Sequence, residues 1–105
     1  MKQFDVFENP IAAARASYPL VVVLQSEAFG DAGRERVIAP LVSAAALTPP
    51  KARVLPLVVV DEARYVVVVP SLGSFPAAQL THRVGSLADR RDALLGAIDE
   101  LFFGN

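Results

Sequence analysis

Few side chains in this sequence have the type and spacing that catalysis requires. His82 is the only histidine and there is no cysteine, so a histidine-based triad or metal site would have to use His82. No second ligand stands at metal spacing from Thr81-His82-Arg83, so we expect a surface histidine and no catalytic residue, metal site or cofactor. Asp61 and Glu62 lie between two valine-rich runs, which indicates a solvated turn rather than an acid–base pair.

A glycine-containing segment in the first third of the chain holds the remaining polar candidates. Gly30 and Gly33 are spaced as in a phosphate-binding loop, but no Lys followed by Ser or Thr comes after them. Before this segment an apolar run ends in Gln25-Ser26-Glu27, and after it come Arg34 and Arg36. These residues are consistent either with a loop anchored by hydrogen bonds or with a binding site.

The composition argues against several classes of function. The 105 residues include 10 basic and 11 acidic side chains, so a general nucleic-acid binder, which needs clustered Lys and Arg, is not expected. Hydrophobic residues make up 53%, which suits one domain over residues 1–105. No apolar run approaches the roughly 20 residues of a membrane helix, and charges interrupt the N-terminus before a signal peptide forms, so we expect a cytoplasmic protein without membrane contact.

Short valine-rich runs separated by turn residues predict a mainly β fold, with a curled sheet or small barrel capped by one C-terminal helix. Pro40 lacks an amide donor and therefore indicates a bulge or a sheet edge. The apolar run 19–25 indicates a strand buried on both faces. The last two of the main predicted strands form a hairpin, and a shorter strand is expected within 70–76. The main strands are expected at residues 4–7, 19–25, 36–42, 54–60 and 64–69.

The apolar period changes to that of an amphipathic helix after Ser86. Ser86 and Asp89 have the spacing of a capping box, which predicts that the helix begins there. The apolar stripe extends to Leu101 and Phe102, so both are expected to anchor the helix to the core. The residues on this stripe are Leu87, Leu94, Leu95, Ile98, Leu101 and Phe102.

Small side chains form another face of this helix at Ala93, Gly96 and Ala97. A mid-helix glycine costs about 1 kcal/mol relative to alanine, so the close approach of another backbone would explain it. A dimer contact and an ordinary solvent-exposed face are both consistent with this pattern. The sequence then ends in Phe102-Phe103-Gly104-Asn105, where termini are usually polar, so these aromatics are expected to pack on the core, on a second copy or on a partner.

Three stretches in order carry the motifs of one family. The first is Val22-Val23-Leu24-Gln25-Ser26-Glu27, continuing through Gly33-Arg34 to Val37-Ile38-Ala39-Pro40-Leu41. The second is Leu55-Pro56-Leu57-Val58-Val59 with the Asp61-Glu62 turn and Gly73-Ser74-Phe75-Pro76, and the third runs from Ala97 to Asn105. Together they resemble the CcdB toxins of bacterial toxin–antitoxin modules over essentially the whole chain.

The resemblance implies an SH3-like barrel with a C-terminal helix, assembled as a homodimer. It also implies a toxin that binds the A subunit of DNA gyrase and traps its cleaved-DNA complex, that is neutralised by a cognate antitoxin, and that is not itself an enzyme. The family's poison residues are a Trp-Gly-aliphatic ending whose aromatic ring stacks on gyrase arginines. Phe103, Gly104 and Asn105 occupy these positions here.

Two further hypotheses stay open. A ribonuclease toxin of the MazF/Kid type would share this barrel and would use Arg34, Arg36 and Glu27 for charge stabilisation and as a base. A non-toxic relative that only binds an antitoxin is suggested by the altered residues at positions 103 and 105.

Overall fold

Seven antiparallel strands and a C-terminal helix make up the computed structural model, which describes residues 1–26, 34–45 and 52–104. Within these residues, no helix combines the length and hydropathy that crossing a membrane requires. The helix, α1, covers Arg91–Phe103. The strands are β1 (Asp5–Glu8), β2 (Leu20–Val23), β3 (Glu35–Ser43), β4 (Leu57–Val60), β5 (Ala63–Val67), β6 (Gly73–Pro76) and β7 (Arg83–Ser86).

The strands form one curled sheet in the order β4-β5-β3-β2-β1-β7, with β6 paired to the free part of β3. The curl brings the two ends of the sheet together, because a Cβ built on Gly85 of β7 would lie 3.5 Å from Cγ1 of Val60 on β4. Leu94 and Ala97 of α1 are fully buried in the core inside this curl. A mainly β half-barrel with one C-terminal helix confirms the predicted fold class.

The side chains of β2 alternate between two hydrophobic clusters. Leu20 and Val22 lie in the core that includes α1, whereas Val21 and Val23 pack with Phe7 in a second cluster on the other face of the sheet. All four residues of the strand are buried. The prediction that this apolar run is covered on both faces is therefore confirmed, although the strand is shorter than residues 19–25.

Pro40 lies inside β3 at the point where this strand changes partners. β6 pairs with β3 up to Ile38, and β5 pairs with it from Leu41 onwards. The Pro40 carbonyl accepts a hydrogen bond from the amide of Val68 at 2.9 Å. Because the nitrogen and carbonyl of one residue in an antiparallel strand point to the same side, the proline nitrogen faces the break between β6 and β5, where no ladder donor is needed. The predicted edge is thus a break between two partner strands rather than an outer edge of the sheet.

The predicted hairpin is β4 and β5, joined by a two-residue turn. Val60 pairs with Ala63, and both intervening residues, Asp61 and Glu62, have positive φ angles of 50° and 67°. Two consecutive left-handed residues define a type I′ turn, whose twist matches that of the flanking strands. The two carboxylates are exposed in this turn, in agreement with their prediction as turn residues.

The start of the helix differs from its prediction. Ser86 Oγ accepts a hydrogen bond from the amide of Ala88 at 3.1 Å. A 3₁₀ turn follows over Ala88–Arg90, in which the amide of Arg90 donates to the carbonyl of Leu87 at 2.9 Å, and α1 begins only at Arg91 without a side-chain cap. The reason is that Leu87 is fully buried and its amide donates to the carbonyl of Phe4 at 2.8 Å. The chain is held at this point to Phe4, the residue directly before β1, and must turn before a helix can form.

Candidate functional site: the C-terminal tip of α1

The apolar residues of α1 divide into a buried side and an exposed ridge. Ile98 and Leu101 are half-buried against the core that contains Leu94 and Ala97. Leu95 and Phe102, seven residues apart and hence on the same side of the helix, are 38% and 61% exposed. The expectation that Leu101 anchors the helix is confirmed, but Phe102 lies at the edge of the stripe and turns away from the core.

Phe103 is the most exposed large apolar residue in the described part of the chain, with 71% of its surface accessible. Gly104 follows in the left-handed conformation, with a φ of 69°, and its amide donates to the carbonyl of Glu100 at 3.0 Å. This is the helix-ending geometry that favours glycine, because it has no Cβ to clash. Gly104 thus ends α1 directly behind the two exposed rings. Asn105 lies outside the described residues.

The surroundings of the two rings are acidic. Asp99 is exposed in the last turns of α1, the half-buried Glu100 is paired with Arg53 at 3.2 Å, and the last turn itself contains no basic residue. The carboxyl end of a helix also has a partial negative charge from its unpaired carbonyl groups. Exposed aromatic faces beside negative charge suit a cationic partner surface, since arginine binds both carboxylates and aromatic rings.

The small-residue face of α1 is directed at the chain's own body. Ala97 is fully buried in the core, while Ala93 and Gly96 are half-buried. Over Gly96 lies the guanidinium of Arg53, whose Nη2 is 3.2 Å from the position that a Cβ would take. The packing of this face is explained within one chain, and a role of these residues in a homodimer stays a prediction.

Comparison with known proteins assigns this architecture to a family. Residues 3–104 match the family model described as CcdB protein. The chain belongs to the CcdB family. Among solved structures, a chain described as the crystal structure of an Mtb toxin superposes with a TM-score of 0.66 and 24% identity, covering 83% of this chain and 94% of that one. At this identity the likeness concerns the fold. No curated protein matches the sequence.

The arginines considered for RNA chemistry lie in different environments in this CcdB chain. Arg36 is only 5% exposed and its Nη1 donates to the carbonyl of Glu35 at 2.9 Å, whereas Arg34 is exposed. Glu27, Gly30 and Gly33 lie outside the described residues. Arg36 therefore has little surface to offer a nucleic-acid phosphate.

Two other polar candidates, Gln25 and His82, take part in hydrogen bonds with strands of the sheet. Gln25 accepts a hydrogen bond from the amide of Val37 at 3.2 Å, as the anchored-loop interpretation expects. His82 is exposed, and its carbonyl accepts from the amide of Glu8 at 2.9 Å. Within the described ranges, no three His, Asp or Glu side chains come together as a metal site would require.

Arg53 is the residue at this site that sequence reasoning missed. It stands in a segment without regular structure before β4, 43 positions from Gly96 in the sequence. The only sequence feature that pointed to this contact was the mid-helix glycine, which predicts a close neighbour but does not identify it. In the structure, the group close to Gly96 is the guanidinium of Arg53, whereas the sequence alone suggested the backbone of another segment.

Proposed function

We propose that this CcdB-family protein is the toxin of a type II toxin–antitoxin module. It binds the A subunit of DNA gyrase, traps the cleaved-DNA complex and is neutralised by a cognate antitoxin. The observation on which this rests is the exposed aromatic side chain of Phe103, held at the end of α1 where the CcdB family has the tryptophan of its poison ending.

Binding would proceed by stacking rather than by bond formation. The ring of Phe103 offers a π face to an arginine of gyrase, and the exposed carboxylate of Asp99 adds favourable charge beside it, whereas Glu100 is already paired with Arg53. No step of this mechanism calls for a nucleophile, base or cofactor, so the protein acts as a binder and not as an enzyme. A cytoplasmic homodimer of the single 1–105 domain would present two such tips.

The residues at the tip set the expected affinity. Phenylalanine is a weaker cation–π partner than tryptophan, whose contact contributes about 0.5–2 kcal/mol depending on desolvation. Asn105 stands where the family has an aliphatic residue, whose burial would contribute about 1.5–3 kcal/mol. Since about 1.4 kcal/mol is a tenfold change in affinity, these replacements predict gyrase binding one to a few powers of ten weaker than with the family's usual ending.

Expression without antitoxin in a gyrase-sensitive bacterium tests this function. We expect arrested growth, and accumulation of cleaved DNA when the purified protein is added to a gyrase supercoiling assay. Phe103→Ala should abolish both effects. Leu57→Ala removes another exposed apolar side chain, 50% accessible on β4, and should leave both unchanged. Normal growth together with the absence of a cleaved complex at saturating protein contradicts the proposal.

The presence of Phe103 in place of tryptophan favours one other candidate, a non-toxic relative that only binds an antitoxin. In that case the chain itself should be inert, and Phe103→Trp with Asn105→Ile should create toxicity. An inert double variant that still folds would contradict this second candidate. The ribonuclease hypothesis is disfavoured by the burial of Arg36, and an RNA cleavage assay with Arg34→Ala as control addresses it directly.

A further inference from the structure

Arg53 joins the segment before β4 to the last turns of α1. Its Nη1 lies 3.2 Å from Oε2 of Glu100, and its Nη2 lies over Gly96. Gly96 and Glu100 are four positions apart and therefore occupy the same face of the helix, one above the other. A single guanidinium thus spans one full turn of α1.

The absence of a side chain at Gly96 allows the guanidinium to lie close to the helix. A Cβ at that position would come within 3.2 Å of Nη2, closer than ordinary van der Waals contact, so the guanidinium would have to move by a few tenths of an ångström. Glycine in the middle of a helix is otherwise unfavourable. Its presence is accounted for by room for the Arg53 side chain.

Glu100 connects this contact to the tip. Its carbonyl accepts the hydrogen bond from the amide of Gly104 that closes the final turn, and Phe103 lies within that turn. On the buried side of the helix the same turn is held by Leu101, which packs on the core. Leu101 and Glu100 differ by one position, or about 100° around the helix, so the turn is held from two directions.

We propose that Arg53 is a positioning residue that sets the direction of Phe103. This inference rests on the proposed function, because it concerns how the tip is presented to gyrase. The ion pair itself contributes little to global stability, since the Arg53 and Glu100 side chains are 58% and 34% exposed and solvent screens their charges. Its effect is local: without it, the final turn is held on one side only and Phe103 samples more directions.

The test measures binding and the order of the tip separately in the full chain. Affinity for the purified gyrase A subunit is compared in wild type, Arg53→Ala, Glu100→Arg and the exchange variant Arg53→Glu with Glu100→Arg. Hydrogen exchange of the Gly104 amide reports the final turn without gyrase, and the amide of Leu24, bonded to the carbonyl of Val37 at 2.9 Å, reports the sheet. Arg15→Ala is the matched control, because it breaks a similarly exposed pair with Glu8 at 3.3 Å.

Arg53→Ala and Glu100→Arg should each weaken gyrase binding by about threefold to fivefold and speed Gly104 exchange by a similar factor, which is the scale of an exposed ion pair. The exchange variant should restore both values, while Leu24 exchange and Arg15→Ala stay at wild-type levels. Unchanged Gly104 exchange in Arg53→Ala, or no restoration in the exchange variant, overturns the proposal. If wild type does not bind gyrase, the proposed function fails, and the Gly104 exchange still decides whether Arg53 orders the tip.

Discussion

The amide of Gly104 donates to the carbonyl of Glu100 at 3.0 Å, and this bond closes the last turn of α1 immediately behind Phe103. The same glutamate receives Arg53 through its side chain. The end of the helix is therefore fixed by local backbone geometry and by a contact from elsewhere in the chain. Substitutions at the tip can separate these two contributions.

Replacing Gly104 with alanine should loosen the tip. At a φ of 69° an L-residue incurs roughly 1–2 kcal/mol of steric cost, so the final turn should fray rather than retain this conformation. The rate of limited proteolysis at the tip and the affinity for the gyrase A subunit, each compared with wild type, measure the effect. Gly104→Asn is the control, since asparagine tolerates left-handed geometry better, and it should lose less affinity than alanine. Equal losses for both variants would contradict this account.

Phe103→Trp should tighten binding to the gyrase A subunit without changing the stability of the fold. Tryptophan is the better ring for a cation–π contact, and because the whole contact contributes about 0.5–1 kcal/mol at an exposed site, we expect a gain in affinity of at most about fivefold. The side chain at position 103 is 71% exposed, so the thermal midpoint should stay unchanged. Calorimetric titration and a thermal melt measure the two quantities. Phe102→Trp is the matched control for simply enlarging an exposed ring.

Asp5→Ala should lower the free energy of unfolding by about 1–3 kcal/mol, because it removes a buried carboxylate that accepts a backbone hydrogen bond and pairs with an arginine. Asp5 is 4% exposed, accepts a hydrogen bond from the backbone amide of Lys2 at 2.8 Å and forms an ion pair with Arg83, whose Nε lies 3.2 Å from Oδ1. Urea unfolding measures the change. Glu8→Ala, which breaks an exposed pair, should cost less than about 1 kcal/mol, and an equal effect of the two variants would contradict the assigned role of Asp5.

Glu62→Gly should stabilise the hairpin of β4 and β5. Glutamate at a φ of 67° is in a region that disfavours side chains, and Asp-Gly is a preferred pair for a type I′ turn. We expect a gain of up to about 1 kcal/mol after the entropic cost of glycine is included. Chemical denaturation provides the measurement. The same change at Glu8, inside β1, should destabilise the protein.

Local patterns were sufficient for most of the sheet but not for β7. The valine-rich runs of β2, β4 and β5 predict strands with little ambiguity, and the turn residues between β4 and β5 predict the hairpin. Arg83–Ser86, in contrast, holds one valine and one glycine and is at most half-buried. It becomes a strand because β1 presents a partner, with Val6 opposite Gly85. That information lies some 80 positions away in the sequence.

Sequence periodicity was likewise insufficient to predict which residues of α1 are buried. Periodicity placed Leu101 and Phe102 on one broad stripe, but the direction from which the core approaches decides which edge of a stripe is covered. The core meets α1 around Leu94, Ala97 and Leu101, so Phe102 is left outside. The approach of Arg53 to Gly96 is equally a tertiary matter. The family resemblance pointed to Phe103 without this information, because its position in the motif does not depend on how the helix is rotated; its role in binding gyrase stays a prediction.

The pairing of β1 with β7 affects the order in which the sheet can form while the chain is being synthesised. β1 is made before the other strands, yet one of its neighbours in the sheet is residues 83–86, near the end of the described chain. On a ribosome, β2 is available to β1 early, but β7 becomes available only after residues 83–86 have been synthesised. We therefore expect the pairing of β1 with β7 to form late in folding, since such distant contacts form slowly.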